Sequence, residues 1–190
     1  MQQIALDIWN AVRTHGFPAL LMTCLAVLAW WQLRSDGLGT AVRRLRAELR
    51  TGHGRRMVLF LFYACLLLLF TLMARPLNTE PQKYVFTHWL PNGEEKYDDE
   101  IYENILLFIP FTGLLLAAEG QRLLRRPTVG SAAGKAAVIA LACSAFIEVS
   151  QLIFSLGSFQ FSDIFYNTLG GALGGLLWYG MHRLKQRLKK

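Results

Sequence analysis

Apolar positions in this chain gather into five long blocks, at 17–33, 57–73, 101–118, 136–156 and 164–181. Each is near the ~20 residues that carry a helix across a hydrocarbon core of about 30 Å. The pattern predicts an all-α membrane protein, a bundle of five transmembrane helices. Before the first block, Ile4, Ala5, Ile8, Trp9 and Val12 share one helical flank, which suits a segment lying in the membrane interface. Pro18 is expected to open the first span, and Trp30 and Trp31 to close it at headgroup level. Between the first two blocks, Val42, Leu45 and Leu49 alternate with arginines, as in a short helix docked on anionic lipid. The second block, with its leucine run, reads as mostly lipid-facing.

After the second block the period changes. Tyr84, Phe86 and His88 alternate with Val85, Thr87 and Trp89, and Pro91-Asn92-Gly93 follows. Asn-Gly after such alternation is a hairpin signal, so a small external β-hairpin is expected within 75–103, as a lid or vestibule. Asp98, Asp99, Glu100 and Glu103 then precede the third block, where acids favour a helix N-terminus. Their spacing matches no EF-hand loop, and no metal is expected. Inside the third block, Pro110 removes one helical hydrogen bond and leaves the Leu106 carbonyl short of its usual partner.

The last two blocks carry polar residues that hydrocarbon does not accommodate idly. At 100° per residue, Ser144, Glu148, Gln151 and Ser155 fall on one stripe, and Asp163, Asn167, Gly170 and Gly174 form the matching stripe on the next helix. Such faces should point into the bundle. The rise per residue puts Gln151 and Asn167 at similar depth, and Glu148 roughly 12 Å below Leu156, level with Gly170 and Gly171. The small-xxx-small spacing of those glycines permits close helix approach. Glu148 is therefore expected to be protonated, or else hydrogen-bonded to Asn167, Gln151 or Asn104. The same residues suit two roles: ligand contacts, or interhelical bonds that only hold the bundle together. Asp163, after Ser162, equally fits a site residue or a helix cap.

Composition and charge then settle the setting. With 53% hydrophobic residues, the solvent expected is a bilayer rather than water. The net charge of +7 is segregated by loop: seven Lys or Arg in 34–56, four in 122–135 and five in 183–190, against four in the alternate segments. By the positive-inside rule the N-terminus lies outside and the C-terminus in the cytoplasm. The basic segments suit membrane lipids as partners and lack any nucleic-acid-binding signature. Cys24, Cys65 and Cys143 sit inside apolar blocks with no metal-type spacing. No cofactor is implied. The chain divides into 1–56, an interfacial segment, first span and basic loop, and 57–190, a four-helix core with its external loop.

ENILLFIPF, then EVSQL, then SDIFYNTLGGALGG, in that order, resemble the VanZ-like family of bacterial membrane proteins, named for a teicoplanin-resistance protein. The resemblance runs over roughly 75–179. It carries Asn104, Pro110, Glu148, Gln151, Asp163, Asn167, Gly170 and Gly171 onto positions that recur in the family. Two departures stand out: Thr112 takes the place of a usual Gly after the Pro-Phe pair, and 157–160 lacks an Arg that many members carry before the Asp. The resemblance implies an inner-membrane role at the bacterial cell envelope, with lowered susceptibility to teicoplanin-type glycopeptides. The corresponding partner is an amphiphilic envelope molecule, such as a lipid-linked precursor or a lipoglycopeptide. It would bind in an outward-opening cavity between the third, fourth and fifth spans. Two alternatives remain: an enzyme on a lipid-linked substrate with Glu148 or Asp163 as acid or base, and a small proton-coupled transporter. The oligomeric state is not legible.

Overall fold

The computed structural model describes residues 2–32, 38–73, 77–80, 82, 85–86 and 95–188. They form six helices: α1 (Gln2–Gln32), α2 (Leu38–Arg50), α3 (Gly52–Met73), α4 (Glu95–Leu123), α5 (Val129–Phe154) and α6 (Phe161–Arg187). Four stretches are long and apolar enough to cross a membrane: Val12–Trp30, Gly52–Met73, Asp99–Leu123 and Val129–Phe154. The helix α6 is not among them, because glycines and polar residues dilute its apolar content.

One expectation about the first half changes. Pro18 lies inside α1 rather than at its start, so the N-terminal segment and the first span are one continuous rod. A membrane helix tolerates the missing N–H when neighbouring groups make up the loss. The second span is mostly unburied, as its leucine run predicts, with Gly54 and Leu67 its buried residues; Leu67 is 2% exposed and packs with Phe108, Phe111, Ala140 and Ile147. Its Tyr63 hydroxyl donates to the Leu107 carbonyl at 2.8 Å, beside the place where Pro110 interrupts the hydrogen bonds of α4.

The basic segment does form a helix, α2, and its joint with α3 is tight. Thr51 caps α3 by accepting from the Gly54 N–H at 2.9 Å, while its own hydroxyl donates to the Glu48 carbonyl at 2.7 Å. A side chain at Gly54 would run into that same Glu48 carbonyl, so glycine is required where the two helices meet.

The core is organised by α6. Against α5, Asn167 meets Ser144, Gly171 meets Ala140, and Gly175 meets Ala136 and Ala132. Four residues forward on one helix match four back on the other, so the pair is antiparallel. Against α4, Gly170 abuts Ile105 and Gly174 abuts Ile109 and Thr112, which makes those two parallel. Each glycine replaces a side chain that would collide with a neighbouring backbone or side chain, and so α6 lies wedged between α4 and α5. The third block is longer than expected, since α4 starts at Glu95 and takes Asp98, Asp99, Glu100 and Glu103 into its first turns.

The expected hairpin falls largely outside the described residues; Val85 and Phe86 lie in a turn, and no strand occurs among the described residues. The described part of the external segment is pinned to the α5–α6 turn. Leu77 pairs with Leu156, the Asn78 N–H donates to the Ser155 carbonyl at 2.8 Å, and the Asn78 side chain donates to Ser158 Oγ at 3.0 Å. The Phe161 N–H donates to the Val85 carbonyl at 3.2 Å, and the Phe86 and Phe161 rings stack 5.4 Å apart.

Candidate functional site

Helical periodicity sends the α5 stripe inward, as its spacing predicts. Ser144, Glu148 and Gln151 are 0%, 2% and 3% exposed. Ser155, the fourth member, instead ends the helix in a left-handed conformation, φ 54°. From α6, Asn167 faces the stripe with 5% exposure, and Asn104 is buried on the inner side of α4. Asp163 is half-buried in the first turn of α6.

The polar residues meet three kinds of partner. Asn167 Nδ2 donates to Ser144 Oγ at 2.8 Å, a direct link between α6 and α5. Gln151 Nε2 donates to the Thr71 carbonyl at 2.9 Å, tying α5 to the last turn of α3. Glu148 Oε2 accepts from the backbone N–H of Gln160 at 2.9 Å, and Gln160 is the N-cap of α6. The sequence points Glu148 at Asn167, Gln151 or Asn104; the structure turns Oε2 to the Gln160 backbone, because the 155–160 turn folds back over the end of α5. Asp163 lies in the first turn of that same helix, so both carboxylates serve the positive end of one helix dipole. The cap residue is Gln160 rather than Ser162 or Asp163.

One atom of this cluster is left over. Asn167 Oδ1 is buried and accepts no hydrogen bond among the described residues. Buried amide oxygens ordinarily find a donor, which makes this position the least satisfied point of the cluster.

A cavity lies on the other side of α4. A space of about 430 Å3 opens between α1, α3 and α4, lined by Val12, Tyr63, Leu67, Phe70, Leu106 and Pro110 among others. Those α4 residues occupy the face opposite Ile101, Asn104 and Phe108, so the space is separated from Glu148 and Asn167 by α4 itself. Sequence reasoning also missed Thr71, Thr112 and Gln160 as partners. The Thr112 hydroxyl lies 2.8 Å from the Gly171 carbonyl and 3.1 Å from the Phe108 carbonyl, both of which it can address. Two of these three partners act through their backbone, which leaves no trace in residue type. Among the described residues, no three His, Cys, Asp or Glu side chains come together.

The profile of the VanZ/LLP1 family matches residues 57–184. The chain belongs to that family. Over 91 residues it is 33% identical to Protein VanZ of Enterococcus faecium, a stretch covering 48% of this chain and half the length of that relative. No solved structure matches it. The two departures from the VanZ-like pattern now have physical counterparts. Thr112, where a Gly is usual, adds a hydroxyl that reaches across to α6. With no Arg in 157–160, this stretch offers Glu148 an amide at a helix start, a position that favours negative charge.

Proposed function

We propose that this VanZ/LLP1 protein is a multi-pass protein of the bacterial inner membrane that binds an amphiphilic envelope molecule and so lowers susceptibility to teicoplanin-type glycopeptides. In this reading α6 is the fifth span, the N-terminus is outside, and the α5–α6 turn with residues 77–86 faces the exterior. The ligand's polar part engages Asn167, with Glu148, Gln151, Asn104 and Asp163 around it, when the pinned external segment lifts.

The unpartnered Oδ1 of Asn167 carries this reading. A cluster serving only to hold helices together gains nothing from a buried acceptor without a donor, which costs about 1–3 kcal/mol, whereas a ligand N–H or O–H satisfies it. The enzyme and transporter readings draw no comparable support: the contact of Glu148 Oε2 with the Gln160 N–H is one that a helix start makes to a carboxylate.

Native mass spectrometry of the protein released from membranes in mild detergent tests this. A non-phospholipid amphiphile is expected to accompany the wild type and to fall roughly tenfold in Asn167→Ala, the equivalent of one lost hydrogen bond of about 1.4 kcal/mol. Equal retention by both proteins, or none by either, contradicts the reading.

A further inference from the structure

At the opposite end of the bundle, the α4–α5 connection holds an open surface pocket of about 470 Å3. Its polar wall is Arg125, Arg126 and Lys135; its apolar wall is Leu123, Leu124 and Val138. All three cations are exposed, and among the described residues none of them makes an ion pair or hydrogen bond. The carboxylate one turn before the end of α4, Glu119, pairs with Arg122, 3.2 Å from its Oε2, while its buried Oε1 lies 3.5 Å from His53 and has no hydrogen-bond partner among the described residues. Three uncompensated positive charges therefore surround one opening.

The pocket's depth is set by the chain. One candidate span ends at Leu123 and the next begins at Val129, so the opening straddles the boundary between hydrocarbon and headgroups. Val138 is 62% exposed on the side of α5 that also carries Lys135, and it extends the apolar wall away from the charges. The N-terminus of α5, capped by Thr128, adds the positive end of its dipole to the same region. A pocket with cations at headgroup level and an apolar strip below them has the polarity of a phospholipid.

We propose that this pocket is a binding site for an anionic phospholipid of the cytoplasmic leaflet. The phosphate sits among Arg125, Arg126 and Lys135, where the guanidinium groups can contact its oxygens in pairs, and an acyl chain follows Leu123 and Val138. Free phosphate would use the charges but leave the apolar wall uncovered. The site is independent of the Asn167 cluster.

The test uses the full-length protein in phosphatidylcholine vesicles containing a trace of photoactivatable phosphatidylglycerol, with crosslinked peptides mapped by mass spectrometry. Crosslinks are expected to concentrate in 122–138. They should drop at least tenfold in R125Q/R126Q/K135Q, given the attraction of about 1 kcal/mol of each basic residue to an anionic surface, and persist in the charge-preserving R125K/R126K/K135R. Crosslinks spread evenly over all basic segments, or undiminished in the glutamine variant, overturn the proposal. So does their displacement by excess inorganic phosphate, which would mean that the charges alone are read. If the glutamine variant does not fold, the wild-type map still decides, because exposed Arg43, Arg44 and Arg46 on α2 provide the comparison within one molecule.

Discussion

Glu148 accepts a backbone N–H at 2.9 Å from the residue that caps α6, and this governs what its substitution should do. Glu148→Ala leaves the Gln160 N–H buried without that acceptor, a loss of about 1–3 kcal/mol, to be read as a lowered midpoint in thermal unfolding in detergent. Glu148→Gln keeps an acceptor oxygen at the same reach and should cost distinctly less. If the two variants unfold alike, the N–H contact is not what holds this side chain. At this scale the sequence was informative about direction and silent about partners. Helical spacing turned Ser144, Glu148, Gln151 and Asn167 inward, and all four are buried. The Gln160 and Thr71 contacts run to main-chain atoms, which every residue type possesses. Which backbone groups would lie within reach depends on how the 155–160 turn folds and on how α3 meets α5.

The glycines of α6 set how closely its neighbours approach. A side chain at Gly174 would collide with Thr112 and the Ile109 carbonyl, both on α4, whereas one at Gly180 meets open space. Gly174→Leu should therefore destabilise the bundle by about 1–3 kcal/mol or more through overpacking. Gly180→Ala should be neutral or raise stability slightly, as expected for alanine replacing glycine inside a helix. Thermal unfolding of both variants checks the pair, and a Gly174→Leu protein as stable as wild type would remove the wedge arrangement. The external segment makes a second test. The Asn78 side chain donates to Ser158 Oγ and accepts from the Glu80 N–H, so Asn78→Ala should speed amide exchange at 78–80 and leave exchange in α5 unchanged. Small-xxx-small spacing made the close approach of α6 legible from sequence. The continuity of α1 through Pro18 was not, because a proline that opens a helix and one carried within it look the same until neighbouring packing is known.

Across the whole molecule, α5 and α6 run antiparallel while α4 and α6 run parallel, which is the alternation that successive membrane crossings require. Although α6 is not apolar enough to stand as a span on composition, it lies beside α5 from Asn167 to Gly175. In the proposed topology, single cysteines placed in a variant lacking Cys24, Cys65 and Cys143 should separate by side. Asn78→Cys is expected to react with a membrane-impermeant maleimide in intact cells, and Arg125→Cys or Gln186→Cys only after permeabilisation. Charge segregation is the sequence feature that argues for this orientation, and the labelling pattern checks it. The position of the apolar cavity beside α4 was not legible in the sequence, since it depends on how α1 and α3 diverge there. Susceptibility to teicoplanin tests the central claim most directly, in a sensitive bacterial host expressing wild type, Asn167→Ala or the lipid-face control Phe146→Ala at matched membrane levels. Wild type and Phe146→Ala are expected to raise the inhibitory concentration, and Asn167→Ala to return it to that of cells lacking the protein. Equal protection by all three at equal abundance would contradict the account.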